Sequence, residues 1–258
     1  MKIVRRILVT LAATLTAVFI VLYGIAPVAM SFYQTRYALP ITRVVPADLR
    51  DESVSPASGT KLDCLDHEFE VPWPDLDESK NEFFPKDKPS KTMARLHFRS
   101  GLQVIAISSP PHGFADQFTK SEMKMAPEAF AAVFGRNAAT SDYEFMKRVL
   151  EFSPDQIHHW TLSTALHARE EVLLVTKSIV PSKAAETGIF NVHSATYRGF
   201  QQGNTGVRPQ AVLLDLYSSS DAFEIIFLQK DYTNTHGVTQ PEINRVVQSL
   251  HKASSNRS

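Results

Sequence analysis

The sequence predicts an α+β protein carried behind one N-terminal transmembrane helix. Three observations point there. An uncharged apolar run opens the chain, strand-like and helix-like segments are grouped rather than alternating, and 258 residues hold one cysteine. Segregated strands and helices imply an antiparallel sheet, of about six or seven strands here, covered by helices. Lys and Arg number 27, as do Asp and Glu, and apolar residues make up 43%. That composition excludes a disulfide scaffold and a disordered chain, and gives no basic excess for nucleic acid.

Ile7 to Met30 is free of Asp, Glu, Lys and Arg over 24 positions. As a helix it reaches roughly 36 Å, more than the ~30 Å hydrocarbon core of a bilayer. Lys2, Arg5 and Arg6 precede it, and Tyr33, Arg36 and Tyr37 follow as an interfacial belt. The positive-inside rule therefore places the amino terminus in the cytoplasm and exports the rest, most simply to the periplasmic side of a bacterial inner membrane. A cleaved signal peptide would have a shorter apolar core and a small-x-small site. Here Pro27 falls inside Ala26-Pro27-Val28-Ala29, so an uncleaved anchor over residues 1–30 is expected. The exported part carries a net charge of −3, because three cations leave with the run and no acid does.

Residues 31–62 read as a tether and 63–253 as one α+β domain, with 254–258 as a tail. Four prolines and mixed charge keep residues 70–91 out of helices and central strands, while Trp73, Phe83 and Phe84 pin that loop down. Met93–Phe98 alternates, Leu102–Ser108 is nearly all apolar, and Arg99-Ser100-Gly101 joins them as a hairpin. Leu96 faces inward in this reading, as does Phe227 further on.

Helices are expected over Ser121–Gly135, broken at Pro127, and after the S-x-x-E cap at Ser141–Glu144. Another is expected from Ser153-Pro154-Asp155-Gln156 to about Ala168. Glu171–Val180 holds five β-branched residues, which predicts a strand stopped by Pro181. Strands follow at Ile189–Ala195, Tyr197–Gln202, Gln210–Tyr217 and Ala222–Lys230, the last two joined by Ser218-Ser219-Ser220-Asp221. Thr239–Glu242 caps a closing helix whose stripe is Ile243, Val246, Val247 and Leu250. The element order is similar to that of the Mog1/PsbP-like fold, in which helices cover an antiparallel sheet. No motif accompanies that similarity, so no functional residue is carried over.

Chemistry is sparsely signalled. His158 and His159 are adjacent on what reads as a helix end, where neighbours diverge by about 100° and rarely share a metal. Cys64 and His67 have metal-pair spacing but lack a second such pair. His167 beside Glu170 and Glu171 resembles an oriented base or an ordinary surface ion pair. There is no G-x-S-x-G elbow, and the glycines at 199, 203 and 206 fit neither a phosphate loop nor a dinucleotide turn. No catalytic residue, metal or cofactor is therefore expected. Tyr197, Arg198, Phe200, Gln201 and Gln202, around a glycine-rich loop, form the candidate binding surface. The expected role is a membrane-anchored binding or assembly-accessory module that meets the bilayer through residues 7–30 and a protein partner in the envelope. The alternatives are a histidine-using hydrolase and a carrier of an apolar ligand.

Overall fold

The computed structural model describes residues 13–57, 59–88, 90–110, 113–120, 124–205, 211–229 and 237–253. The flanking Lys2, Arg5 and Arg6, the start of the apolar run, Ser121–Met123, Gly206, Gln210, Lys230 and the 254–258 tail lie outside the described residues.

Helix α1 (Ala13–Tyr37) is long and apolar enough to cross a membrane, and little of it is buried. It widens into a π-helical turn at Val21–Ile25. After it come a one-turn helix α2 (Pro40–Arg43) and a two-residue strand β1 (Ala47–Asp48). Strands β2 (Thr60–Cys64) and β3 (His67–Val71) form a hairpin. Next come β4 (Glu82–Phe84), β5 (Met93–His97) and β6 (Leu102–Ser109). The helical layer follows: α3 (Gly113–Lys120), α4 (Pro127–Phe134), α5 (Asp142–Glu151) and α6 (Thr164–Ile179). Strands β7 (Ile189–His193), β8 (Arg198–Gln202), β9 (Ala211–Tyr217) and β10 (Ala222–Gln229) precede α7 (Gln240–Ser249) and β11 (His251–Lys252).

The main sheet has eight strands in the order β1-β7-β8-β9-β10-β6-β5-β4, and β11-β3-β2 make a second, smaller sheet. The main sheet is mixed, because β1 lies parallel to β7. Six or seven antiparallel strands had been expected. The additions are the edge strands β1 and β4, too short for a period of two to register.

Alternation sorts the side chains onto two faces. Leu96, Val104, Leu214, Leu216, Ile225 and Phe227 point to one side, where α7 and the small sheet bury them with Phe69, Val71 and Val246. Leu96 and Phe227 are 2% and 1% exposed, so both inward assignments hold. Leu96→Ala is accordingly expected to cost about 3 kcal/mol of unfolding free energy in urea titration. A change below the precision of that measurement would place Leu96 outside the core. At the β5–β6 turn Gly101 has φ +86°, as its place in the hairpin requires. On the other face the helices bring together Phe118, Phe130, Phe134 and Phe145, with ring centroids 4.8–6.0 Å apart. Met146 and Leu150 of α5 then pack on Ile189, Phe200 and Tyr217 of the sheet.

Caps read from sequence form as expected. Ser141 accepts the Glu144 amide at 3.3 Å, and Thr239 N–H donates to Glu242 at 2.8 Å. Four local expectations are corrected. Glu171–Val180 is no strand but the second half of α6. Glu170, Leu173, Leu174, Thr176 and Lys177 are buried at helical spacing, and packing of that stripe overrides the β-branched preference, with only Val175 and Ile179 of the five β-branched residues turned outward. Ser153–Gln156 closes a capping box over only one 3-10 turn, because His159 is drawn onto α1. The fresh start expected at Pro127 opens α4, but Lys124–Ala126 before it are not helical, and α3, unforeseen, precedes them. Within the stretch read as a tether, Ile41 and Thr42 are buried, β1 pairs with β7, and Asn244 donates to the Asp51 and Ser53 carbonyls at 2.9 and 2.8 Å.

Candidate functional site

Antiparallel neighbours reverse at a common edge. The β7–β8 turn at Ser194–Tyr197 and the β9–β10 turn at Ser218–Asp221 therefore share one end of the sheet. The first turn of α5 covers that end. Together they enclose an open groove of about 600 Å³, of the size that takes a small ligand or a short chain segment. Its wall is largely hydroxyl-bearing, from Thr140, Ser141, Ser194, Thr196, Ser218 and Ser219. The Arg198 guanidinium lies over the Tyr143 ring at 4.0 Å from the centroid and 3.5 Å from Glu144. Tyr143 in turn stacks on Phe200 at 5.4 Å. Arg198 remains 56% exposed, so a held cation faces the groove.

Beneath it Asp221 collects donors. The Tyr197 hydroxyl donates at 3.1 Å, the Ser218 hydroxyl at 2.6 Å and the Lys252 ammonium at 3.1 Å, and His67 Nε2 stands 3.5 Å away. Burial alone would raise the Asp221 carboxyl; Ser218, Lys252, His67 and Tyr197 together hold it below the ordinary carboxylate range. Burial, and then the Asp221 charge, push the Tyr197 phenol well up, so it stays a neutral donor.

A smaller chamber of about 100 Å³, room for a few waters, lies behind the groove and shares Asp142, Tyr217 and Ala222 with it. Asp142 accepts the Gly113 and Phe114 amides at 2.9 and 3.2 Å and so caps α3. Asp215 and Glu224 are direct cross-strand partners on the chamber wall. Burial pushes Asp215 up to about 7, helped by the Glu224 charge and opposed by the Gln202 amide that donates to it. Burial raises Glu224 as well. Near neutral pH the chamber thus offers a carboxyl able to hold or release a proton.

The histidines do other work. Glu170 receives the His158 amide, pairs with the His158 ring and lies 3.9 Å from His167. His159 hydrogen-bonds with Ser31 at 3.0 Å and stacks on Phe32. Among the described residues, no group of three or more His, Cys, Asp or Glu is placed to hold a metal ion. Cys64 is buried, and burial pushes its thiol up to about 12, far from the thiolate that reacts.

Of the five residues read as a binding surface, the fold brings Tyr197 and Arg198 to the groove. Phe200, Gln201 and Gln202 are buried behind it instead. Gln201 pairs with Gln240 at 2.8 and 2.9 Å, and Gln202 accepts the Ser182 amide at 2.7 Å. Their strand runs between two neighbours rather than along an edge, which removes it from the surface. Sequence reasoning missed Tyr143, Asp221 and the Asp215–Glu224 pair. A carboxylate inside the apolar strand Ala211–Tyr217 was the available signal for Asp215. No family model, curated protein or solved structure matches the chain.

Proposed function

We propose that the chain is a single-pass membrane protein, amino terminus in the cytoplasm, whose extracytoplasmic domain binds a partner polypeptide in the hydroxyl-lined groove. Arg198 receives a carboxylate of that partner, and the serine and threonine hydroxyls take its backbone polar groups. The observation that carries this reading is Arg198 held over Tyr143 at the mouth of the groove: an oriented, half-exposed cation. Position supports it. The first turn of α5 lines the groove, while the segment after its last turn accepts Thr35 of α1 through the Pro154 carbonyl. Ten residues of helix separate the two ends by about 15 Å. The groove therefore lies about 15 Å from the contact with α1. The negative balance of the exported part suits a soluble face and gives no pull toward nucleic acid.

A photo-crosslinking residue at Ser219, in membranes from cells making the full chain, tests this. The expected outcome is one discrete adduct with a polypeptide, lost when Arg198→Glu is added and absent when the probe sits at Lys61 on the small sheet. Equal labelling at Ser219 and Lys61, or an adduct indifferent to Arg198→Glu, rejects the groove as the binding face.

A further inference from the structure

We propose that the loop Trp160–Leu162 is a second membrane contact, inserting its side chains among the acyl chains beside α1. This rests on the reading of α1 as an anchor and adds that the domain itself lies in the bilayer surface.

The loop is built onto the helix. His159 stacks on Phe32 at 4.5 Å, Trp160 meets the same ring edge-on at 5.3 Å, and Ser31 and Thr35 hydrogen-bond with His159 at 3.0 and 3.4 Å. Two turns down, a Cβ on Gly24 would stand 3.2 Å from a Leu162 methyl. Gly24 lies in the π-helical turn, where the missing side chain lets the loop come close. From Phe32 to Gly24 the loop thus descends about 12 Å along the helix axis. Gly24 is inside the apolar run that ends at Met30, so Leu162 reaches about 9 Å below that end.

What covers the loop on its other side follows from continuity with the helix. Trp160 is 83% exposed and Leu162 69%, and they share an open apolar groove of about 770 Å³ with Phe19, Tyr23, Val28 and Phe32. Residues of α1 at that depth and below it, Met30, Ile25, Leu22, Ile20 and Phe19, are about half exposed or more and need lipid around them for the same reason. From Ile157 to Ala168 the chain carries no Asp, Glu, Lys or Arg, in a protein with 21% charged residues. Arg36 and Arg43, past the end of the apolar run, flank the wedge instead. Arg43 pairs with Asp155 at 3.3 Å and donates to the Thr35 carbonyl, at the headgroup side. An indole beside an aliphatic tip, below a cationic collar, is the pattern of an interfacial insertion.

The full chain is reconstituted into phosphatidylcholine vesicles, plain or brominated shallowly or deeply along the acyl chain. Flotation and resistance to alkaline extraction report the anchor. Emission of the wild-type protein minus that of Trp160→Phe isolates Trp160 from Trp73. The expected result is flotation with loss of most Trp160 emission in shallowly brominated lipid and a smaller loss in deeply brominated lipid. Flotation with Trp160 unquenched by either lipid overturns the insertion and leaves the anchor standing. An indole shielded from aqueous acrylamide yet unquenched by bromine does the same and points to a second copy of the chain over the groove. A chain that fails to float loses the anchor and this proposal together.

Discussion

Lys177→Met is expected to cost the fold about 5 kcal/mol. The Lys177 side chain is wholly buried, and its ammonium donates to the carbonyls of Val44, Leu150 and Phe152, each at 2.6 Å. Those oxygens belong to chain ends that need a donor. Leu150 and Phe152 end α5, and Val44 caps α2. The last carbonyls of a helix have no partner within it and carry its negative pole, so one ammonium from α6 serves two helix termini at once. Methionine fills similar space and donates nothing. Leaving three buried carbonyls unpaired costs about 1–3 kcal/mol each, partly offset by relief of a desolvated charge.

That charge gives a second readout. Burial pushes the Lys177 ammonium down to about 8. The unfolded lysine keeps its proton to about pH 10.4, so between those values the unfolded chain holds the extra proton and stability rises with pH, by up to about 3 kcal/mol. Urea titrations of wild type and Lys177→Met at pH 7 and about pH 10 should show the gap between them widening. A gap under about 1 kcal/mol at both would mean that the three carbonyls find other donors.

Lys177 also shows where sequence reading ran out. It stands in a segment whose Val172, Val175, Thr176, Ile179 and Val180 read as a strand, and a buried lysine does not fit a strand interior. The helical stripe Glu170, Leu173, Leu174, Lys177 is visible only when Lys177 is counted as buried, and nothing local says that its donors have partners 25 and more residues away. Elements whose own residues carry the signal were legible. The hairpin β5–β6 alternates, the caps at Ser141 and Thr239 close over the residues that their spacing names, and the run ending at Met30 needs no partner to be apolar. Two-residue β1 and three-residue β4 were not legible, because so few residues hold no period.

The groove was half legible for the same reason. Tyr197 and Arg198 stood out as exposed-type residues beside glycines, and they do line it. Its other walls come from Thr140–Tyr143 and Ser218–Asp221, brought together only by the order β7-β8-β9-β10 and the crossing of α5. Phe200, Gln201 and Gln202 were misplaced because a strand inside a sheet and one at its edge share a local pattern. Polar Gln201 and Gln202 survive burial by bonding to Gln240, Gly203, Ser182 and Asp215.

Asp215→Asn is expected to stabilise the protein by about 4 kcal/mol at pH 8 and by almost nothing at pH 4. The folded carboxyl titrates at about 7 because it is buried and faces Glu224. In the unfolded chain it titrates near 3.9, so between about pH 4 and 7 the folded state holds a proton that the unfolded state has lost. Its contribution is complete below about pH 4 and drains away as pH rises through 7, at about 1.4 kcal/mol per unit of difference. Asparagine keeps the volume, cannot ionise, and can still accept the Gln202 amide through its own oxygen. Urea titrations across this range should therefore show a falling wild-type curve and a flatter variant curve, the residual slope including Glu224, which burial raises in the same sense. Parallel curves would mean that Asp215 is already solvated in the folded protein and that the chamber is open to water. If the gap appears, the chain carries a carboxyl beside its groove that stability alone would remove, the mark of a group retained for what the groove does. The same variant in the Ser219 crosslinking experiment then tells whether that proton matters to binding: an adduct that weakens as pH rises through about 7 in wild type, and not in Asp215→Asn, ties the chamber to the partner.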